Sequence, residues 1–75
     1  MIERREIVGV AYERVETAEG FAAWLTANGW PEAAAFQREV GLDFEALKGR
    51  WFFVTKHGDQ HYCYARTVSG VKVLR

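Results

Sequence analysis

Arg50-Trp-Phe-Phe-Val-Thr-Lys-His57, Gly58-Asp59, Gln60-His-Tyr-Cys-Tyr-Ala-Arg-Thr-Val68, Ser69-Gly70 and Val71-Lys-Val-Leu74 form the continuous stretch that decides the fold. Aromatic and β-branched runs broken by two Gly-containing pairs predict three antiparallel strands joined by tight turns. With Gly58-Asp59 as a two-residue loop, Lys56 faces His61, Val54 faces Cys63 and Phe52 faces Ala65. Thr55–Tyr62, Phe53–Tyr64 and Trp51–Arg66 then pair on the opposite face. With Ser69-Gly70 as the second turn, Val68, Val71 and Val73 join the Trp51 face, and Lys72 and Leu74 the Phe52 face. The Trp51 face carries the larger continuous apolar surface, so helices are expected to pack there. The Phe52 face keeps an apolar centre of Phe52, Val54, Cys63, Ala65 and Leu74, rimmed by Arg50, Lys56, His61 and Lys72.

Upstream, Val8, Val10 and Tyr12 alternate with small residues and predict a first strand over Glu6–Tyr12, with Gly9 as a bulge or close approach. Thr17 suits the cap of a helix over Ala18–Asn28, whose Phe21, Trp24 and Leu25 fall at i, i+3 and i+4. Asn28-Gly29 ends it. Pro31 fits the first position of a second helix, Pro31–Val40, with Ala33, Phe36 and Val40 along one side and Gly41 as its stop. Asp43 caps a single helical turn over Phe44–Lys48. The predicted order is strand, two helices, a short helical turn and a three-stranded antiparallel meander, an α+β fold.

Seventy-five residues predict one domain over residues 1–75, and a chain this small needs an efficient core. The composition supplies one, at 49% hydrophobic and 15% aromatic, too apolar for a disordered tail. Cys63 is the single cysteine, which suits a reducing compartment. The charged start and the lack of a long apolar run predict a soluble, cytoplasmic chain.

Net charge is zero, yet residues 1–49 hold nine acids and five bases while residues 50–75 hold five bases and one acid. The distribution fits either an internally complementary domain or a basic sheet offered to an acidic partner.

Reaction signatures are missing. His57, Asp59, His61 and Cys63 crowd within seven residues, but a structural zinc site draws four ligands from two separated pairs, and no second pair exists. A nucleophilic thiol needs an activating environment, whereas Cys63 sits between two tyrosines mid-strand. No Gly-rich phosphate loop and no nucleophile elbow occur. The expectation is a non-enzymatic protein with no catalytic residues, metal or cofactor.

Two nucleic-acid readings compete with a protein-binding one. Phe36, Val40, Gly41, Leu42 and Leu47 resemble the apolar-and-glycine spacing of the helix-turn-helix family, which implies a winged-helix regulator with the following hairpin as wing. Gln37 and Gly49 depart from that pattern. The segment Thr17–Gly49 is acidic overall, which opposes phosphate binding. Alternatively, Trp51, Phe53, Tyr62 and Tyr64 could stack single-stranded bases, with Arg66 on a phosphate.

An apolar centre with a charged rim has the anatomy of a protein-binding patch. The expected role is a small regulatory or inhibitory module binding another protein through Arg50, Phe52, Lys56, His61 and Lys72. Glu32, Glu39 and Glu45 on the acidic helices form a second candidate surface. Glu6–Tyr12 or a second copy of the chain, making a homodimer, could cover the same patch. Compact chains of this kind include mobile-element and phage inhibitors of host complexes, a class-level analogy only.

Overall fold

A computed structural model describes residues 2–74. The strands are β1 (Ile2–Ile7), β2 (Val10–Val15), β3 (Phe52–His57), β4 (Gln60–Thr67) and β5 (Gly70–Val73), and the helices are α1 (Ala18–Ala27), α2 (Ala33–Val40) and α3 (Phe44–Leu47). The five strands form one sheet in the order β1-β2-β3-β4-β5, each neighbouring pair antiparallel. The α+β order expected from sequence is present. No helix among the described residues is long and apolar enough to cross a membrane.

The N-terminal strand is longer than expected and folds back on itself. Ile2–Ile7 pairs with Val10–Val15 from Ile2↔Val15 to Ile7↔Val10, so Gly9 belongs to a turn, not to a bulge. Val8 and Gly9 have φ of 51° and 78°, and a two-residue hairpin turn with both φ positive matches the twist of its strands. Cross-strand ion pairs Arg4–Glu13 and Arg14–Glu3, each 2.7 Å, reinforce the ladder. Val8 is a β-branched side chain in left-handed geometry, which crowds its own carbonyl, and it is 87% exposed. Val8→Asn should therefore stabilise the chain by about 1 kcal/mol, read as a higher urea midpoint. A lower midpoint would contradict the strain.

The helices follow their local signals. Thr17 accepts a hydrogen bond from the Gly20 amide at 3.0 Å, and Asp43 accepts one from the Ala46 amide at 3.2 Å. The second helix starts two residues later than predicted, at Ala33, with Glu32 at its N-cap making no side-chain cap bond. It buries Ala35, Phe36 and Val40, whereas Ala33 is exposed. Gly41 ends it at φ 85°.

The β3–β4 register is as predicted: Phe52↔Ala65, Phe53↔Tyr64, Val54↔Cys63, Thr55↔Tyr62 and Lys56↔His61. The second turn differs, because Val68-Ser69 makes it and Gly70 pairs with Thr67. The Thr67 hydroxyl donates to the Gly70 carbonyl at 2.9 Å and accepts from the Ser69 amide at 3.3 Å, which closes the turn early. This slip of two residues preserves the side on which Val71, Lys72, Val73 and Leu74 lie. Val68 is left at the tip, fully exposed.

The packing face is the reverse of the one expected. The core joins Val15, Phe52 and Cys63 of the sheet to Phe21, Trp24, Leu25, Phe36, Val40 and Leu47 of the helices, with Ile2, Val54 and Leu74 packed against it. Phe52 is 0% exposed and its ring lies 5.2 Å from that of Trp24. Two causes account for the choice. The Glu13↔Phe52 bridge puts Val15 on the Phe52 side, and Ile2 opposite Val15 extends it, so the apolar surface spans the whole sheet. Cys63 and Ala65 on β4 are also small, which lets α2 approach closely, whereas four large rings on the other side would hold a helix off.

Candidate functional site

The helix-free side of the sheet is a belt of rings and guanidinium groups. Strand alternation places Glu3, Arg5 and Ile7 of β1, Tyr12 and Arg14 of β2, Phe53 and Thr55 of β3, and Tyr62, Tyr64 and Arg66 of β4 there, together with Trp51 just before β3. Phe53 and Tyr64 stack at 5.0 Å with 14° between their planes, and Tyr12 meets the Phe53 ring edge-on at 5.3 Å. Arg5 and Arg14 lie over the Trp51 ring at 4.7 and 4.6 Å from its centroid, within cation–π range. Arg14 is also held by Glu3. Trp51, Phe53, Tyr62 and Tyr64 are half-buried and Arg66 is exposed. Tyr12 is the exception at 1% exposed. Val71 and Val73 continue the belt on β5 and are exposed. Among the described residues no helix packs on this side.

The residues expected to make the binding patch do not assemble into one. Phe52 is core, and Val54 and Leu74 pack against it, so the apolar centre of the predicted patch lies beneath the helices. Arg50 is exposed in the segment before β3, Lys72 is exposed opposite Ala65, and Lys56 and His61 face each other at the far end of β3–β4. Only Lys56 and His61 are neighbours. Glu32, Glu39 and Glu45 are exposed on or beside α2 and α3, and Glu39 comes within 3.9 Å of the His61 imidazole.

The apparent His–Cys cluster is divided between the faces. His57 packs edge-on against Tyr62 at 5.7 Å, and His61 tilts against Trp30 on the helix side at 5.2 Å. Cys63 is buried, and that burial pushes its thiol up to about 12. A thiol so reluctant to ionise is a poor nucleophile.

A second feature is a cleft of about 500 Å³ bordered by Ala11, Glu13, Trp24, Trp30, Val54, Lys56 and His61, among others. It exists because β2 and β3 touch at a single bridge, Glu13↔Phe52, and then diverge. Glu13 closes its inner end: one carboxylate oxygen accepts from the Trp24 indole N–H and the other from Arg4.

A single strand over Glu6–Tyr12, as the sequence suggests, leaves Arg5 and Arg14 outside any strand and Tyr12 without a partner, so none of the three emerges as a site residue from sequence. The period-two alternation Glu3, Arg5, Ile7 and Val10, Tyr12, Arg14 was the available signal. Compared with protein-family models, with curated proteins and with solved structures, the chain matches none.

Proposed function

We propose that the chain is a non-enzymatic binding module that docks a partner protein on the helix-free face of its sheet. The observation that carries this reading is the uncovered belt of Trp51, Phe53, Tyr62 and Tyr64 interleaved with Arg5, Arg14 and Arg66. Aromatic residues and arginine are the types enriched at the centres of protein interfaces and among their energetic anchors. Rings already stacked on neighbours lose little freedom when a partner arrives.

Single-stranded nucleic acid is the competing occupant of the same face. It is less well served, because Trp51 is already topped by two of the arginines and Phe53 by Tyr64. The chain also has no net positive charge to release counterions from a phosphate backbone.

The test immobilises the wild-type chain and the Tyr62→Ala, Arg66→Glu and Glu45→Lys variants, exposes each to extract from the source cells, and titrates the same proteins with mixed-sequence oligonucleotides at low salt. The expected result is a captured protein that binds at least about 2 kcal/mol more weakly to Tyr62→Ala and is indifferent to Glu45→Lys. Capture lost only with Glu45→Lys would move the site to the acidic helices. Tight, salt-sensitive oligonucleotide binding would replace the protein reading with the nucleic-acid one.

A further inference from the structure

The divergence of β2 and β3 ends their ladder after a single bridge. The Arg66 amide donates to the Trp51 carbonyl at 2.8 Å, so on β3 the groups of Trp51 and Phe53 point towards β4. Those of Phe52, Val54 and Lys56 then point the other way, towards β2. On β2 the Gly49 amide donates to the Val15 carbonyl at 3.0 Å, which fixes the groups of Val15, Glu13 and Ala11 on the edge nearer β3. The bridge Glu13↔Phe52 uses one pair. Beyond it, the register supplies no strand partner on this edge for Ala11, Val54 or Lys56 among the described residues.

Two residues that line the same cleft, Thr55 and His61, each carry an unsatisfied side-chain atom. Thr55 Oγ1 and His61 Nδ1 are buried without a hydrogen-bond partner; the Glu39 carboxylate, 3.9 Å from His61 Nδ1, is too far to bond it. They come from opposite faces of the β3–β4 ladder, so the unmet polar groups flank the plane of the sheet where it splits. Lys56 stands exposed at the rim and makes no ion pair with an acid among the described residues. The Glu13 carboxylate is already engaged by the Trp24 indole N–H and the Arg4 guanidinium.

We propose that the β2–β3 cleft takes an extended peptide segment of a partner protein, bonded as an added strand along Val54–Lys56 and carrying an acidic side chain that meets Lys56 and His61. An extended chain is the ligand that offers alternating N–H and C=O groups at strand spacing, and strand addition to an open edge is an established mode of peptide capture. The volume lies within the range of ligand pockets. The proposal rests on the reading that the ligand is a protein and adds a second contact, separate from the aromatic belt.

The test titrates the isotopically labelled full chain with the acetylated, amidated pentapeptide Thr-Val-Glu-Val-Thr, with its Glu-to-Lys counterpart, and with a copy N-methylated at both valines. The acidic peptide should shift the amide resonances of Ala11, Val54 and Lys56 and slow exchange of the Val54 and Lys56 amides about tenfold. The lysine peptide should bind about tenfold more weakly, the N-methylated copy should not bind, and Lys56→Glu should reverse the preference between the two charges. Equal binding by the N-methylated copy, or no shift along the cleft at any soluble concentration, overturns the proposal. Shifts confined to Tyr62, Tyr64 and Trp51 overturn it as well while leaving the aromatic face standing. Loss of partner capture in Tyr62→Ala with peptide binding intact separates the two contacts.

Discussion

Phe52→Ala should lower the stability of the chain by about 3–5 kcal/mol. The Phe52 side chain is fully buried, at the centre of the sheet's helix-facing side and edge-on to Trp24. Truncating a buried phenylalanine costs about 3–5 kcal/mol, made up of lost transfer energy and the cavity left behind. A chain of this length is stabilised by roughly 4–11 kcal/mol in total, so the loss consumes much of what holds it together. The site is also poorly placed to collapse, because the sheet backbone beneath it is fixed by the Glu13 bridge on one side and Ala65 on the other. Circular dichroism through a urea titration reads the outcome. A variant retaining the wild-type midpoint would mean that Phe52 is not core.

Phe36→Ala should have a comparable effect for a different reason. Phe36 is fully buried in α2 and meets three rings edge-on: Phe21 at 5.6 Å, Trp24 at 5.4 Å and Trp30 at 5.2 Å. The roughly 3–5 kcal/mol cost of truncating a buried phenylalanine includes the loss of these edge-to-face pairs, each worth about 0.5–1.5 kcal/mol. Trp30 depends on this contact, since it lies in the linker between α1 and α2 and turns its other side to His61. Phe36→Leu keeps most of the volume and should cost less than half as much. Equal losses for the two variants would show that ring geometry, not filled space, is what matters there. The same urea titration distinguishes them.

What could be read in the sequence was what local chemistry determines. Thr17 and Asp43 cap their helices because their oxygens reach amides three residues on. Phe21, Trp24 and Leu25 are buried because helical spacing puts them on one stripe. The β3–β4 pairing followed from a two-residue glycine turn. The N-terminal hairpin stayed hidden, because valine is an uncommon first residue for such a turn and Arg4, Arg5 and Glu6 resemble a solvated tail until Glu13 and Tyr12 stand opposite them. Without that hairpin, two fifths of the sheet were missing from the comparison of its faces. Bulk alone then favoured Trp51, Phe53, Tyr62 and Tyr64 as core. The decisive terms were non-local: Val15 and Ile2 extending the Phe52 side, and Arg5 and Arg14 landing on Trp51. The binding patch inherited the same inversion, which is why Lys56 and His61 survive as neighbours while Phe52 does not survive as a surface residue.

The claim beneath the functional reading is that the ringed side of the sheet faces water in the free chain. The chain has three tyrosines, all on that side, of which Tyr12 is covered and Tyr62 and Tyr64 are partly open. Photochemically induced nuclear polarisation with a dissolved flavin reports tyrosines that the dye can touch. Polarised ring signals from Tyr62 and Tyr64, with Tyr12 silent, are the predicted result. Silence from Tyr62 and Tyr64 in the monomeric chain would mean that this side is packed away, and the account would fail with it.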